Sequence, residues 1–459
     1  MTDPRPIATA DLSGPWSLTA ADGTAYGTMD LPGDVLSALV DMGHCPDPYW
    51  GQNELEVRWV ADTDWRLSRT FTVAETDQSL HLSQLDCVAT VSVNGTLVLK
   101  AQNAFRRYRI DLSDLLQIGE NRIEITLHSP TKAANARQAA QPYPVPYTQN
   151  YPVPNGNMLR KPQCDFGWDW NAALMPMGLY GDIRLEPNRS FRVRDVLVHQ
   201  SHEAGTVEVR VTPLFEGAPE DGTVIRASLC GVTGTATAAD GTAEVTLGLS
   251  DPVLWWPNGQ GDQVLHDLTL QIGDQTVTKR IGLREIELVS EPDAAGRSFG
   301  FRVNGRDVFA KGANWIPADA LPSAITKDGL RDLLQSARDA HMNMIRVWGG
   351  GWYETDDFYD LCDELGLMVW QDAMFACSLY PADEEFLDEV TAEVADNAAR
   401  LQHRASLALW CGDNEMLGAL TGRLYAAGGL CGLRFDQRLR FNACPGEAAE
   451  PSLKGQSVH

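Results

Sequence analysis

The chain has 459 residues, more than a single hydrophobic core organises, so two to four domains are expected. Its 62 Asp and Glu outweigh 37 Lys and Arg, and the resulting net charge of −25 excludes nucleic acid and anionic membrane as natural partners. A hydrophobic fraction of 44% argues for folded structure over disorder, and thirteen tryptophans suffice both for cores and for stacking on flat rings or the apolar faces of sugars.

No apolar run approaches the roughly 18 residues of a membrane span. The opening MTDPRPIATADLSG has no basic segment followed by an apolar one, so no secretory signal is expected. The nine cysteines, at 45, 87, 164, 230, 362, 377, 411, 431 and 444, include no CxxC pair. That pattern predicts reduced, cytoplasmic thiols in place of disulfides or a zinc site.

From about residue 12 to 185 the chain reads as strands divided by turns. WRLSRTFTV (65–73), LHLSQLD (80–86), ATVSVNGTLV (89–98) and NRIEITLHS (121–129) alternate with the period of two expected of half-buried strands. Asn94-Gly95 predicts a tight hairpin, because both residues tolerate positive φ. A β-sandwich is the expected result. The five prolines of QPYPVPYTQNYPVPNG (141–156) exclude helix and central strand there. A second set of short strands from about 190 to 283 predicts a small immunoglobulin-like sandwich.

Near residue 300 the period changes. A hairpin turning on Asn304-Gly305 leads into a strand ending near Trp315. An amphipathic helix is predicted over 326–342, capped by Thr326, with Leu330, Leu333, Leu334, Ala337, Ala340 and His341 on its apolar face. Strand 343–350, helix 354–366 closed by Gly366, strand 367–375, helix 384–403 and strand 406–415 complete the alternation. With no glycine-rich phosphate loop after the first strand, a (β/α)₈ barrel is preferred to a dinucleotide fold. Asn314 and Trp315, Arg346 and Trp348, Gln371 and Asp372, and Asp413 to Glu415 then all fall at the strand ends that carry chemistry in such barrels.

Glu415 is the leading catalytic candidate. Flanked by Trp410 and apolar residues, its carboxyl is expected to lose solvation and hold its proton toward neutral pH; the other reading is a solvated cap for the next helix. Asn414 is suited to hydrogen-bond a hydroxyl, and Arg346 should pair with a carboxylate, catalytic or structural. Trp348 and Trp370 are sugar platforms or core, and Asp372 is either a pocket group or a partner for a loop amide. In FGWDWNAALMPMG (166–178), Trp168 and Trp170 bracket Asp169, a cluster that either packs on another domain or lines a pocket. No GxSxG or HExxH occurs, so neither a serine nucleophile nor a metal or other cofactor is expected.

These pieces together resemble the β-mannosidases of the glycoside hydrolase family that also holds β-galactosidases and β-glucuronidases. The stretches that carry the likeness are DPYWGQNELEVRWVADTDWRLSRTF (47–71), FGWDWNAALMPMGLYGDIRL (166–185), GANWIPAD (312–319), IRVWGGGWYETDDFYDLCDELGLMVWQD (345–372) and LALWCGDNE (407–415). The resemblance implies a jelly-roll-like sugar-binding domain (1–188), an immunoglobulin-like domain (189–283) and the first four strands of a TIM barrel (284–420). It implies hydrolysis of terminal, non-reducing β-D-mannose with retention, Glu415 as general acid/base, Asn414 holding the sugar's 2-hydroxyl, and Asp169 reaching in from the first domain. Asn171 departs from the glycine usual after WDW, which is expected to alter the loop's path.

After Leu420 the likeness ends. Residues 421–459 carry a net charge of +2 against −27 for the preceding 420, with clustered Gly and no helical period. They read as translation in another reading frame or a misjoined end, with a genuine divergent tail as the other reading, and as poorly ordered. The nucleophilic glutamate of the family, on a later strand, has no counterpart, so little or no activity is expected. A half-barrel is also expected to be unstable or to need a partner to cover it, self-association being one way; β-galactosidase or β-glucuronidase specificity or a non-catalytic sugar-binding or interaction role are the alternative readings.

Overall fold

A computed structural model describes residues 10–148 and 150–416, so the tail at 421–459 lies outside the described residues. The N-terminal sandwich packs two antiparallel sheets. One has six strands in the order Ala25–Leu31, Gly14–Ala20, Trp65–Val73, Gly119–Leu127, Ala89–Val93 and Thr96–Ala101. The other runs Ala10–Asp11, Ile183–Pro187, Gln78–Ser83 and Arg107–Asp111. Alternation fixes which residues face inward: Trp16, Leu18, Trp65, Leu67, Leu80, Leu82, Ile123 and Ile125 form the core. The 89–101 hairpin turns on Asn94 (φ 51) and Gly95 (φ 81).

Three helices, Val35–Asp41, Asn53–Val57 and Pro130–Ala140, interrupt this domain where only strands were expected. Asp34 caps Val35–Asp41 through a 2.8 Å bond from Ser37 N, and Ser129 caps Pro130–Ala140 with a proline in the first turn. The second sandwich sets Phe191–Glu203, Thr206–Gly217 and Val245–Ser250 against Val232–Thr237, Val224–Leu229, His266–Ile272 and Gln275–Ile281. Its core is almost wholly Val, Leu and Ile.

The third unit is a parallel sheet in sequential order: β1 (Gly312–Trp315), β2 (Met344–Val347), β3 (Met368–Asp372) and β4 (Leu407–Cys411). It is connected by α1 (Lys327–Asp339), α2 (Asp356–Leu365) and α3 (Glu384–Leu401). These are the first four staves of a (β/α)₈ barrel. Ile345, Val347 and Val369 face the helices and pack with Phe358, Tyr359 and Leu401. The register pairs Asn314 with Arg346 and Arg346 with Trp370, so these three share the opposite, inner face. A three-stranded sheet at 286–308 closes the N-terminal end, where Phe301, Val303 and Val308 pack on Met344 and Met368.

The helix expected over 326–342 ends at Asp339. Thr326 does cap it, but the chain leaves the helical path before His341 (φ 64), which is exposed. The helix buries only Leu330 and Leu334 outright, and Leu333 is exposed.

The sandwich and the barrel share a buried boundary. Arg160 of the first domain donates from Nε and Nη2 to Glu393 on α3, at 2.8 and 2.6 Å, with both side chains almost wholly dehydrated. Asn103 and Tyr353 donate to the same carboxylate. Leu321, from the loop after β1, is buried in the core of the sandwich. Removing one partner of a buried ion pair leaves the other charge uncompensated. Arg160→Ala should therefore lower the unfolding free energy by about 3–5 kcal/mol. Denaturant unfolding of the two proteins at equal pH measures this directly.

Candidate functional site

The site is built at the C-terminal ends of the four parallel strands. Arg346 on β2 reaches across the inner face to Asp372 at the end of β3, with Nε to Oδ1 at 3.1 Å and Nη2 to Oδ2 at 2.6 Å. The fork geometry is the one a guanidinium and a carboxylate favour. Gly349 N donates to the same carboxylate at 3.1 Å. Burial pushes the Asp372 carboxyl up to about 6, although Arg346 pulls the other way. Arg346 also lies over the Trp370 ring, 5.4 Å from its centroid.

The same guanidinium fixes the end of β4: Nη2 donates to Asn414 Oδ1 at 3.0 Å. Asn414 is buried, and its backbone forms a parallel bridge to Ala376 in the segment after β3. Its Nδ2 donates to Cys377 Sγ at 3.2 Å, and that thiol donates to Glu415 Oε2 at 3.4 Å. Arg346, Asp372, Asn414, Cys377 and Glu415 thus form one hydrogen-bonded row.

One expectation for Glu415 needs correction. It is exposed, so the desolvated pocket envisaged for it is not present among the described residues. The reason is position: β4 is an edge of the described sheet, and Glu415 takes a left-handed turn (φ 60) away from it. Asp413 Oδ1 accepts from Met416 N at 2.9 Å.

The roof of the site comes from the first domain. Trp168 meets the Trp348 ring edge-on with centroids 4.8 Å apart, and Trp170 does so at 5.5 Å. Trp348 is buried, Trp168 half-buried, and Asp169 and Trp170 are exposed. The WDW segment therefore packs on another domain and presents polar and aromatic groups beside it. Gly350 is required here, since a Cβ at that position would lie 1.9 Å from the Trp348 ring. Asn171 does not take positive φ, which falls in this segment at Gly167 (φ 91) and Met175 (φ 45), and its Nδ2 donates to Cys164 O at 2.9 Å, tying the turn down. Trp370 lies on the inner face nearer the closed end, against Phe299 and Phe301's cluster, away from the WDW segment.

A cleft of about 820 Å³ lies elsewhere, between the two sandwiches and α3; none of the nine candidate residues lines it.

Sequence reasoning passed over Cys377, whose only signal was its place after the third strand, and Glu354. Glu354 is buried and accepts from Trp315 Nε1 at 2.9 Å, anchoring the indole at the end of β1. Burial pushes its carboxyl up to about 7. Its raised value means that the folded state holds the proton while the unfolded chain loses it, so stability falls as pH rises from about 4.5 to about 7. Glu354→Gln keeps an acceptor for Trp315 without the charge. Thermal unfolding across pH 4–8 should show a shallower decline in the variant, and greater stability than the parent near pH 8.

Known proteins share this architecture. Residues 16–181 match the family described as glycosyl hydrolase 2 galactose-binding domain-like. β-Mannosidase from Capra hircus is 35% identical across 90% of this chain, and a probable β-mannosidase from Caenorhabditis elegans is 33% identical across 91%. The crystal structure of β-D-mannosidase from Dictyoglomus thermophilum superposes with a TM-score of 0.84 at 34% identity, covering 89% of this chain and 52% of that one. The chain is thus similar to the glycosyl hydrolase 2 galactose-binding domain over residues 16–181 and to β-mannosidases over most of its length. It spans about half the length of the curated relatives it matches. An Amycolatopsis orientalis exo-chitosanase at 18% identity and a TM-score of 0.68 shares the fold.

Proposed function

We propose that the chain supplies the sugar pocket and the acid/base half of a retaining β-mannosidase acting on terminal, non-reducing β-D-mannose. The observation that carries this is the junction of Asn414-Glu415 with the Arg346–Asp372 pair beneath the Trp168–Asp169–Trp170 segment. It occurs in a chain about one-third identical to β-mannosidases.

In this reading the sugar sits against Trp168, Trp170 and Trp348, Asp169 and Asn414 hold its hydroxyls, and Glu415 protonates the departing oxygen. Arg346 orients Asn414, and Cys377 steadies Glu415. Trp370 supports Arg346 from the inner face. A retaining mechanism needs a second carboxylate about 5–5.5 Å from the acid to attack the anomeric carbon. Asp372 is committed to Arg346 and Gly349, and Asp169 is assigned to the sugar, so the nucleophile is assigned to no residue within 10–416.

An aryl β-mannoside assay of the purified chain, with Glu415→Gln as control, is expected to show turnover at background in both. Robust turnover that disappears in the variant would overturn the assignment of an incomplete pair. Aryl β-galactoside and β-glucuronide run in parallel separate the alternative specificities.

Two further assignments accompany this reading. β1 and β4 are both edge strands among the described residues and carry unpaired backbone groups, which favours self-association through the half-barrel. Light scattering should then report a mass above that of one chain. Cys45, Cys87, Cys164, Cys230, Cys362 and Cys411 carry free thiols, which supports a cytoplasmic location; no described helix is long and apolar enough to cross a membrane.

A further inference from the structure

Trp50, in DPYWGQNE, is 77% exposed, an unusual fate for the side chain with the largest apolar surface. It is not on a loose loop. Asp47 Oδ1 accepts from Tyr49 N at 2.9 Å, and Asp47 O accepts from Trp50 N at 3.2 Å and from Asn53 Nδ2 at 2.8 Å. Asn53 N returns to Trp50 O at 3.1 Å across Gly51, whose φ of 61 suits the tight turn. The indole is held out into solvent by a closed hydrogen-bonded turn. A pre-ordered aromatic face loses little freedom when a ligand lands on it.

Two tethers set this turn beside the site. Tyr49 Oη donates to Asp319, in the loop that leaves the C-terminal end of β1. Glu54, four residues after Trp50, accepts from Ala173 N at 3.4 Å, just beyond the WDW segment, and is paired with Arg58 at 2.6 Å. The turn is therefore hydrogen-bonded both to the loop that follows β1 and to the segment that follows WDW, one from the barrel and one from the sandwich.

We propose that Trp50 is the platform for the second sugar unit of a bound β-mannoside, stacking on the C–H face of the ring next to the one held by Trp168, Asp169, Trp170 and Trp348. The inference rests on the reading of that pocket given above. The ligand class it selects is a β-linked mannose oligosaccharide of two or more units; a monosaccharide glycoside does not reach the indole.

Calorimetric titration of the full chain with methyl β-D-mannoside and with β-1,4-linked mannotriose tests this. Trp50→Ala should weaken mannotriose binding roughly tenfold and leave methyl β-D-mannoside unchanged, while Trp50→Phe keeps most of the mannotriose affinity. As an exposed residue, Trp50 can be replaced with little effect on folding. Equal mannotriose affinity in parent and Trp50→Ala overturns the proposal. An equal loss for both ligands also overturns it, by showing a structural role. Failure of the parent chain to bind methyl β-D-mannoside overturns the pocket reading itself, an outcome distinct from the other two.

Discussion

The arrangement of the molecule depends on one dehydrated ion pair, Arg160 with Glu393. A buried pair contributes little net stability compared with an apolar contact of the same volume, but it tolerates only one geometry. Here the constraint is tightened from both sides. Glu393 takes further hydrogen bonds from Asn103 and Tyr353, and the guanidinium lies against the rings of Phe105, Phe375 and Phe386. Helix α3 can therefore dock on the sandwich in one position. Since β4 comes directly after α3, that position also decides where Asn414 and Glu415 emerge relative to the WDW segment. A site whose roof and floor belong to different domains needs such a fixed point.

Within the site, Arg346 plays the corresponding role at shorter range. It is the one cation in contact with both Asp372 and Asn414 among the described residues, so the ends of β2, β3 and β4 are aligned through a single planar group. Lysine could not replace it without losing the two-pronged contact. The tryptophans do the remaining work by shape, with Trp348 buried as the contact face and Trp170 left partly open.

Much of this was legible in the residues themselves. Period-two alternation, Asn-Gly turns, the Thr326 cap and the Gly366 stop each have a local physical cause, and the structure shows each of them at its expected place. The pairing of Arg346 was foreseeable from the cost of burying a lone charge. What was not legible depended on neighbours distant in sequence. The helix at 130–140 has almost no apolar stripe, because it buries only Pro130 and Ala134, so periodicity gave no sign of it. The exposure of Glu415 depends on which strand lies beside β4, a fact no local window contains. Nor could the residues near Asn171 show that positive φ in this segment falls at Gly167 and Met175.

Leu321 belongs by sequence to the barrel but by packing to the sandwich. Excising the sandwich as a stand-alone lectin-like module would leave an empty socket lined by its own core side chains, a vacancy that neighbouring chains could fill. Any such module would have to carry the peptide from the loop after β1 along with it, or have the socket refilled by a larger residue from within. The seam along which this protein can be divided therefore does not run where its domains meet in sequence.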